Sequence, residues 1–130
     1  MRTRTFRLNK LVRDKLVKIN IDMGGEVDYS VLSGEKLNKE LLKKLVEEAK
    51  ELEAEAEISA GELADLQEIL DQLIKNYGLT KADIKAKQAK KRVANGGFRE
   101  GHYIKKLTLP ADNKWADYYA ADPKRFKEIK

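Results

Sequence analysis

The sequence predicts a mainly α-helical domain carrying one or two short β-strands. Three observations support that expectation. Good helix formers dominate the 130 residues, against eight glycines and two prolines. Apolar residues recur at helical spacing along two long segments, roughly 35–56 and 59–77. Glycines stand where helical patterns stop, at Gly24 and Gly25, at Gly78, and at Gly96 and Gly97.

Taken in order, LVRDKLVKINIDM (11–23) has helical apolar spacing up to the Gly24–Gly25 stop. EVDYSVL (26–32) follows, with Val27, Tyr29 and Val31 alternating as in a short strand. A long helix is expected from about Glu35 to Ala56, with Ser33 or Gly34 near its start. Ser59 and Glu62 have the spacing of a capping box, opening a second long helix that ends at Tyr77. Thr80 to Asp83 marks a further, lysine-rich helix that stops at Asn95. HYIKKLTLP (102–110) suits a second short strand able to pair with 26–32. The remainder, about 111–130, is an aromatic and part-helical C-terminal extension of what is expected to be a single domain over 1–130.

Composition narrows the function classes. The absence of cysteine excludes disulfides and thiolate metal sites. No apolar run approaches the roughly 18 residues of a membrane span, and no signal-like apolar region follows the basic start, so the expectation is a cytoplasmic protein with no membrane partner. Charge is unevenly distributed. Residues 1–44 carry 11 Lys and Arg against 6 Asp and Glu, residues 45–74 carry 1 against 10, and residues 75–130 carry 15 against 6. An acidic centre between basic flanks suits an anion held through metal ions, and it equally suits a helical bundle with ordinary charge pairing.

Helical wheels separate the acids. At about 100° per residue, with Glu48 at zero, Leu37, Leu41, Leu42, Leu45, Ala49 and Leu52 fall in one arc that includes Glu48, and Glu51 lies on its rim. On the second helix, with Glu62 at zero, Leu63, Leu66, Ile69, Leu70, Leu73, Ile74 and Tyr77 form the corresponding arc, and Asp65 lies on its rim. Each helix thus places one acid within its apolar stripe and a second, three residues later, at the edge. Carboxylates drawn from water need a cation or become protonated. Because only Lys50 lies within the acidic stretch, the cation is a basic side chain from elsewhere, a divalent metal, or both. An all-oxygen donor set favours Mg²⁺ or Mn²⁺ over zinc. Glu62 has a competing use as the third residue of the Ser59 capping box.

Glu47, Glu48 and Glu51 form EExxE, and Glu62 and Asp65 form ExxD. With KLVRDKL (10–16) and NGGF (95–98), these motifs resemble, in matching order over about residues 8–105, the all-α nucleoside triphosphate pyrophosphohydrolases. More specifically, they are similar to the MazG-like and phosphoribosyl-ATP pyrophosphohydrolase-like group. The resemblance implies a helical bundle in which Glu48, Glu51, Glu62 and Asp65 hold Mg²⁺, or Mn²⁺, for cleavage of a nucleotide between its α and β phosphates. Glu47 or Glu48 would serve as base. Lys10, Arg13 and Lys15 would contact phosphate, and Lys91 would do so from the fourth helix, with Lys87 near it. Asn95 departs from the arginine usual before GGF in that group.

A homodimer or larger homo-oligomer is expected, since a short helical set gains core by pairing. Two alternatives remain open. The pI of about 9.3 and the lysine-rich fourth helix suit a nucleic-acid-binding helical oligomer, although the acidic centre argues against an extended phosphate-binding face. A catalytically silent nucleotide sensor is the other.

Overall fold

The computed structural model describes residues 2–130. It is mainly helical: α1 (Leu16–Asp22), α2 (Gly34–Ala54), α3 (Ala60–Asn76), α4 (Lys81–Asn95) and α5 (Lys114–Ala120). The chain divides into two compact units, Met1–Lys91 and Arg92–Lys130.

In the first unit α2 and α3 pack as a hairpin, and their apolar stripes supply its core. Leu41, Ile69 and Leu73 are 5%, 6% and 8% exposed, with Leu11, Leu37 and Leu45 packed against them. At the open end of the hairpin, Asn76 Nδ2 donates to Asn38 Oδ1 at 2.9 Å. The expected capping box at Ser59 forms and starts α3, tying up backbone donors that the first helical turn leaves without partners. A related reciprocal pair starts α4: Thr80 N donates to Asp83 Oδ2 at 2.8 Å and Asp83 N donates to Thr80 Oγ1 at 3.1 Å. Gly96, at φ 80°, accepts the left-handed turn after α4, where its N–H bonds to the Arg92 carbonyl at 2.8 Å.

The first helix is shorter than the pattern 11–23 suggests. It begins at Leu16; residues 10–13 are non-helical, and Lys10, Leu11 and Arg13 among them contact the hairpin, as described below. The expected strands are not formed: among the described residues neither 26–32 nor 102–110 is a strand. Alternation supplies a face but not a ladder partner. Tyr29 and Val31 stay exposed, with only Val27 and Leu32 half-buried, and in 102–110 only Leu109 is half-buried.

The apolar arcs are only partly covered. Leu42 and Val46 on α2 and Leu63 and Leu70 on α3 are exposed. On α4, Ala82, Ala86, Ala89 and Val93 fall on one face at helical spacing and are likewise uncovered, with Val93 90% exposed. No described helix is long and apolar enough to cross a membrane.

In the second unit, Asn113 Oδ1 accepts the Trp115 N–H at 2.8 Å and caps α5. The aromatic side chains there pack on one another. Trp115 meets Tyr118 edge-on at 5.5 Å between ring centroids, and Tyr119 meets Phe126 at 4.9 Å.

Leu73→Ala is expected to lower stability to denaturant by about 2–5 kcal/mol, the range for a buried leucine. Val93→Ala on exposed α4 should stay within about 0.5 kcal/mol by the same measurement.

Candidate metal and phosphate site

The acids lie at the closed end of the α2–α3 hairpin, near the loop 55–59. Glu48 is half-buried, as its place in the apolar arc requires, and Glu51 is exposed. On α3, Glu62 and Asp65 are half-buried. Burial pushes the Glu48 carboxyl above the ordinary carboxylate range. The charge of Glu51 adds to that shift, Lys44 partly opposes it, and Asp65 on the facing helix adds further. Glu48 is thus within reach of the charge of Glu51 on its own helix and of Asp65 on the facing one. The closest cation to Glu48 is Lys44, one turn earlier on α2, with Nζ 3.7 Å from Oε1. Its i, i+4 spacing is the sequence signal that could have identified it.

Glu62 is used differently. The Ser59 N–H donates to Glu62 Oε2 at 2.8 Å and the Ser59 hydroxyl bonds to the same oxygen. Those two bonds hold the Glu62 carboxyl below the ordinary range. Between cap and ligand, the structure places its side chain on the cap.

The basic motif reaches the acids directly. Asn9 is the one described non-glycine residue with positive φ, at 48°, a conformation that asparagine tolerates. Immediately after this turn the segment lies along the hairpin. Lys10 Nζ bonds to Glu47 Oε1 on α2 at 2.6 Å, Leu11 packs on the core, and Arg13 Nη2 bonds to Asp65 Oδ1 on α3 at 2.7 Å. The hydrogen bond from Lys10 is the main reason that the Glu47 carboxyl sits below its ordinary range and the Lys10 ammonium above its own. Neither pairing was readable from the sequence, because the partners are 37 and 52 residues apart. Between this segment and α2 runs an open groove of about 190 Å³, lined by Leu8, Asn9, Lys10 and Leu11 and by Glu40, Lys43, Lys44 and Glu47.

Other residues singled out from the sequence are not drawn in. Lys15, Lys87 and Lys91 are exposed and make no ion pair or hydrogen bond through their side chains among the described residues. His102 is exposed and lies 3.2 Å from the Glu100 carboxylate, a surface position.

The oxygen-only donor set fits a hard divalent cation such as Mg²⁺. As the side chains stand, however, no three acids or histidines among the described residues converge closely enough to hold one. Glu62 is on its cap and Asp65 on Arg13. No family model matches the chain, and neither curated proteins nor solved structures give a significant match.

Because the Glu62 carboxyl titrates lower in the folded chain than in the unfolded one, its cap stabilises fully at neutral pH. That contribution is lost as pH falls through the carboxylate range towards the depressed value. Glu62→Gln is therefore expected to lower the thermal midpoint at pH 7 and to flatten its decline between about pH 5 and 3, measured by circular dichroism.

Proposed function

We propose that this chain is a metal-dependent nucleotide pyrophosphohydrolase of the MazG-like kind, cleaving the α–β phosphoanhydride of a nucleoside triphosphate or related nucleotide to monophosphate and pyrophosphate. The observation that carries the reading is the concentration of charge at one end of the hairpin. Acids repeated at i, i+3 on α2 and α3 repel one another there, and the cations of the KLVRDK segment lie directly against them. An ordinary solvated helix face has no need of cations brought from 37 and 52 residues away.

Glu48, Glu51 and Asp65 would hold the metal, and Glu62 would join them only by leaving Ser59. Bound there, Mg²⁺ or Mn²⁺ would neutralise phosphate oxygens and activate water. Of the two candidate bases, Glu47 is occupied by the Lys10 ammonium, which leaves Glu48 as the carboxylate that accepts the proton of water. Lys10 and Arg13 border the acids and would orient the phosphates, arginine through a two-bonded fork. Lys44, beside Glu48 and in the groove, joins them in that role.

The working species is a homodimer or larger homo-oligomer. Three buried apolar side chains are a small core for a chain of 130 residues. The uncovered Leu42, Val46, Leu63 and Leu70 lie on both helices of the same hairpin, so a second hairpin of identical sequence offers a matching apolar face.

Purified protein should release pyrophosphate from at least one member of a nucleotide panel only when Mg²⁺ or Mn²⁺ is added, and Glu48→Gln should lower turnover by about 10²-fold or more. Full turnover by that variant would remove Glu48 from the site. In sedimentation, the wild-type chain should run as a dimer or larger, and Leu42→Glu combined with Leu70→Glu should run as a monomer.

A further inference from the structure

We propose that the cleft formed by Lys114, Trp115 and Tyr118 in the second unit is a stacking site for an unpaired base of single-stranded nucleic acid. The cleft is open and has a volume of about 260 Å³. Pockets that enclose a drug-sized ligand run from about 300 to 1,000 Å³, so this one suits a flat group laid against a surface. Its lining is two aromatic rings and one ammonium, with no aliphatic side chain. That composition offers π faces and a charge, and little to hold an acyl chain or an apolar side chain. None of the acids of α2 and α3 lines the cleft, so base stacking here is independent of nucleotide hydrolysis.

Both rings are at once accessible and held. Trp115 and Tyr118 are 53% and 50% exposed, and their planes meet at 83° with centroids 5.5 Å apart. Rings set near a right angle form a corner in which a base stacks on one and meets the other edge-on, the two arrangements aromatic groups prefer. Tyr118 is packed in turn by Tyr119 and Phe126, at 5.3 Å and 6.1 Å between centroids, and the Arg125 guanidinium lies 4.8 Å from the Phe126 ring. This support fixes the platform before a ligand arrives, which lowers the ordering cost of binding. Charge selects the occupant. Residues 92–130 carry 9 Lys and Arg against 5 Asp and Glu, a net charge of +4. Among the described residues the ion pairs of this unit are Arg125–Asp122 and His102–Glu100, and neither uses Lys114, whose ammonium is left for a phosphate. A second copy of the chain would set like charge against like charge at the same place, which disfavours pairing of two such clefts. An anionic polymer with flat bases matches rings and charge together.

Trp115 is the only tryptophan of the chain, so its fluorescence reports on the cleft directly and without any variant. The test is titration of the full-length chain, in the presence of a chelator, with an oligothymidylate of about 12 nucleotides. Stacking should quench Trp115 emission to saturation. By anisotropy of a labelled strand, Trp115→Ala should bind about tenfold more weakly, and Trp115→Phe, which keeps a π face, should stay within about threefold of wild type. Lys114→Gln should flatten the slope of log affinity against log salt by about 0.7, the value for one phosphate contact on a single strand. An abasic strand of the same length and charge should bind about tenfold more weakly than oligothymidylate and leave Trp115 emission unchanged. Equal binding of the abasic strand, unchanged emission with oligothymidylate bound, wild-type affinity in Trp115→Ala, or equal affinity for a duplex of the same length would each overturn base stacking. Equal affinity for thymidine monophosphate would overturn the strand as ligand and assign the cleft to a free nucleotide. A response of Trp115 to vesicles of phosphatidylserine and phosphatidylcholine, with none to oligothymidylate, would overturn it in favour of a lipid surface.

Discussion

The structure depends on how the α2–α3 hairpin neutralises its own charge. Apolar contact between the helices is confined to Leu41, Ile69 and Leu73 and their half-buried neighbours, and one end of that contact is bordered by carboxylates. Such an end closes only if cations arrive from outside the acidic stretch. They come from before the acidic stretch in sequence: Lys10 and Arg13 from ahead of α1, and Lys44 from α2 itself. The uneven charge of the sequence is the linear record of this three-dimensional pairing.

What the sequence made legible was local. The capping box at Ser59 and the approximate starts and stops of α2, α3 and α4 depend on residues within one or two turns, and all formed. The position of Glu48 inside the apolar arc was readable for the same reason, since a wheel needs only its own helix. What failed needed a partner far away in the chain. Residues 26–32 and 102–110 alternate as strands do, yet alternation cannot say whether another strand lies alongside. Lys10 and Arg13 were readable as a basic motif, but as phosphate contacts; their place on Glu47 and Asp65 depends on partners 37 and 52 residues away.

Glu62 shows how one residue can satisfy two patterns that compete. As the third residue of a capping box it belongs with Ser59, and as the first acid of ExxD it belongs with Asp65. Two hydrogen bonds from Ser59 are available without any ligand, and they compensate a helix terminus that would otherwise expose bare N–H groups. A metal would have to outweigh both. Asp65, by contrast, is held by a single bond to a solvent-exposed side chain. The two acids of ExxD are therefore unequally held: Glu62 by two bonds at the cap of its own helix, Asp65 by one bond from a side chain 52 residues away.

The half-covered apolar arcs extend the same logic from charge to surface. Each wheel assigns more than 100° of its helix to a core, the breadth expected of a helix with neighbours on two sides. The hairpin alone supplies one neighbour, so Leu41, Ile69 and Leu73 are buried while Leu42, Leu63 and Leu70, on the same arcs, are not. The acids Glu48, Glu51 and Asp65 belong to those same two helices. A second hairpin laid against the uncovered side would complete the core without displacing residues 10–13, because Leu11 already closes against the Leu41, Ile69 and Leu73 cluster. The exposed Leu42, Leu63 and Leu70 and the acids Glu48, Glu51 and Asp65 thus occupy different sides of α2 and α3, so covering the first would leave the second open to solvent.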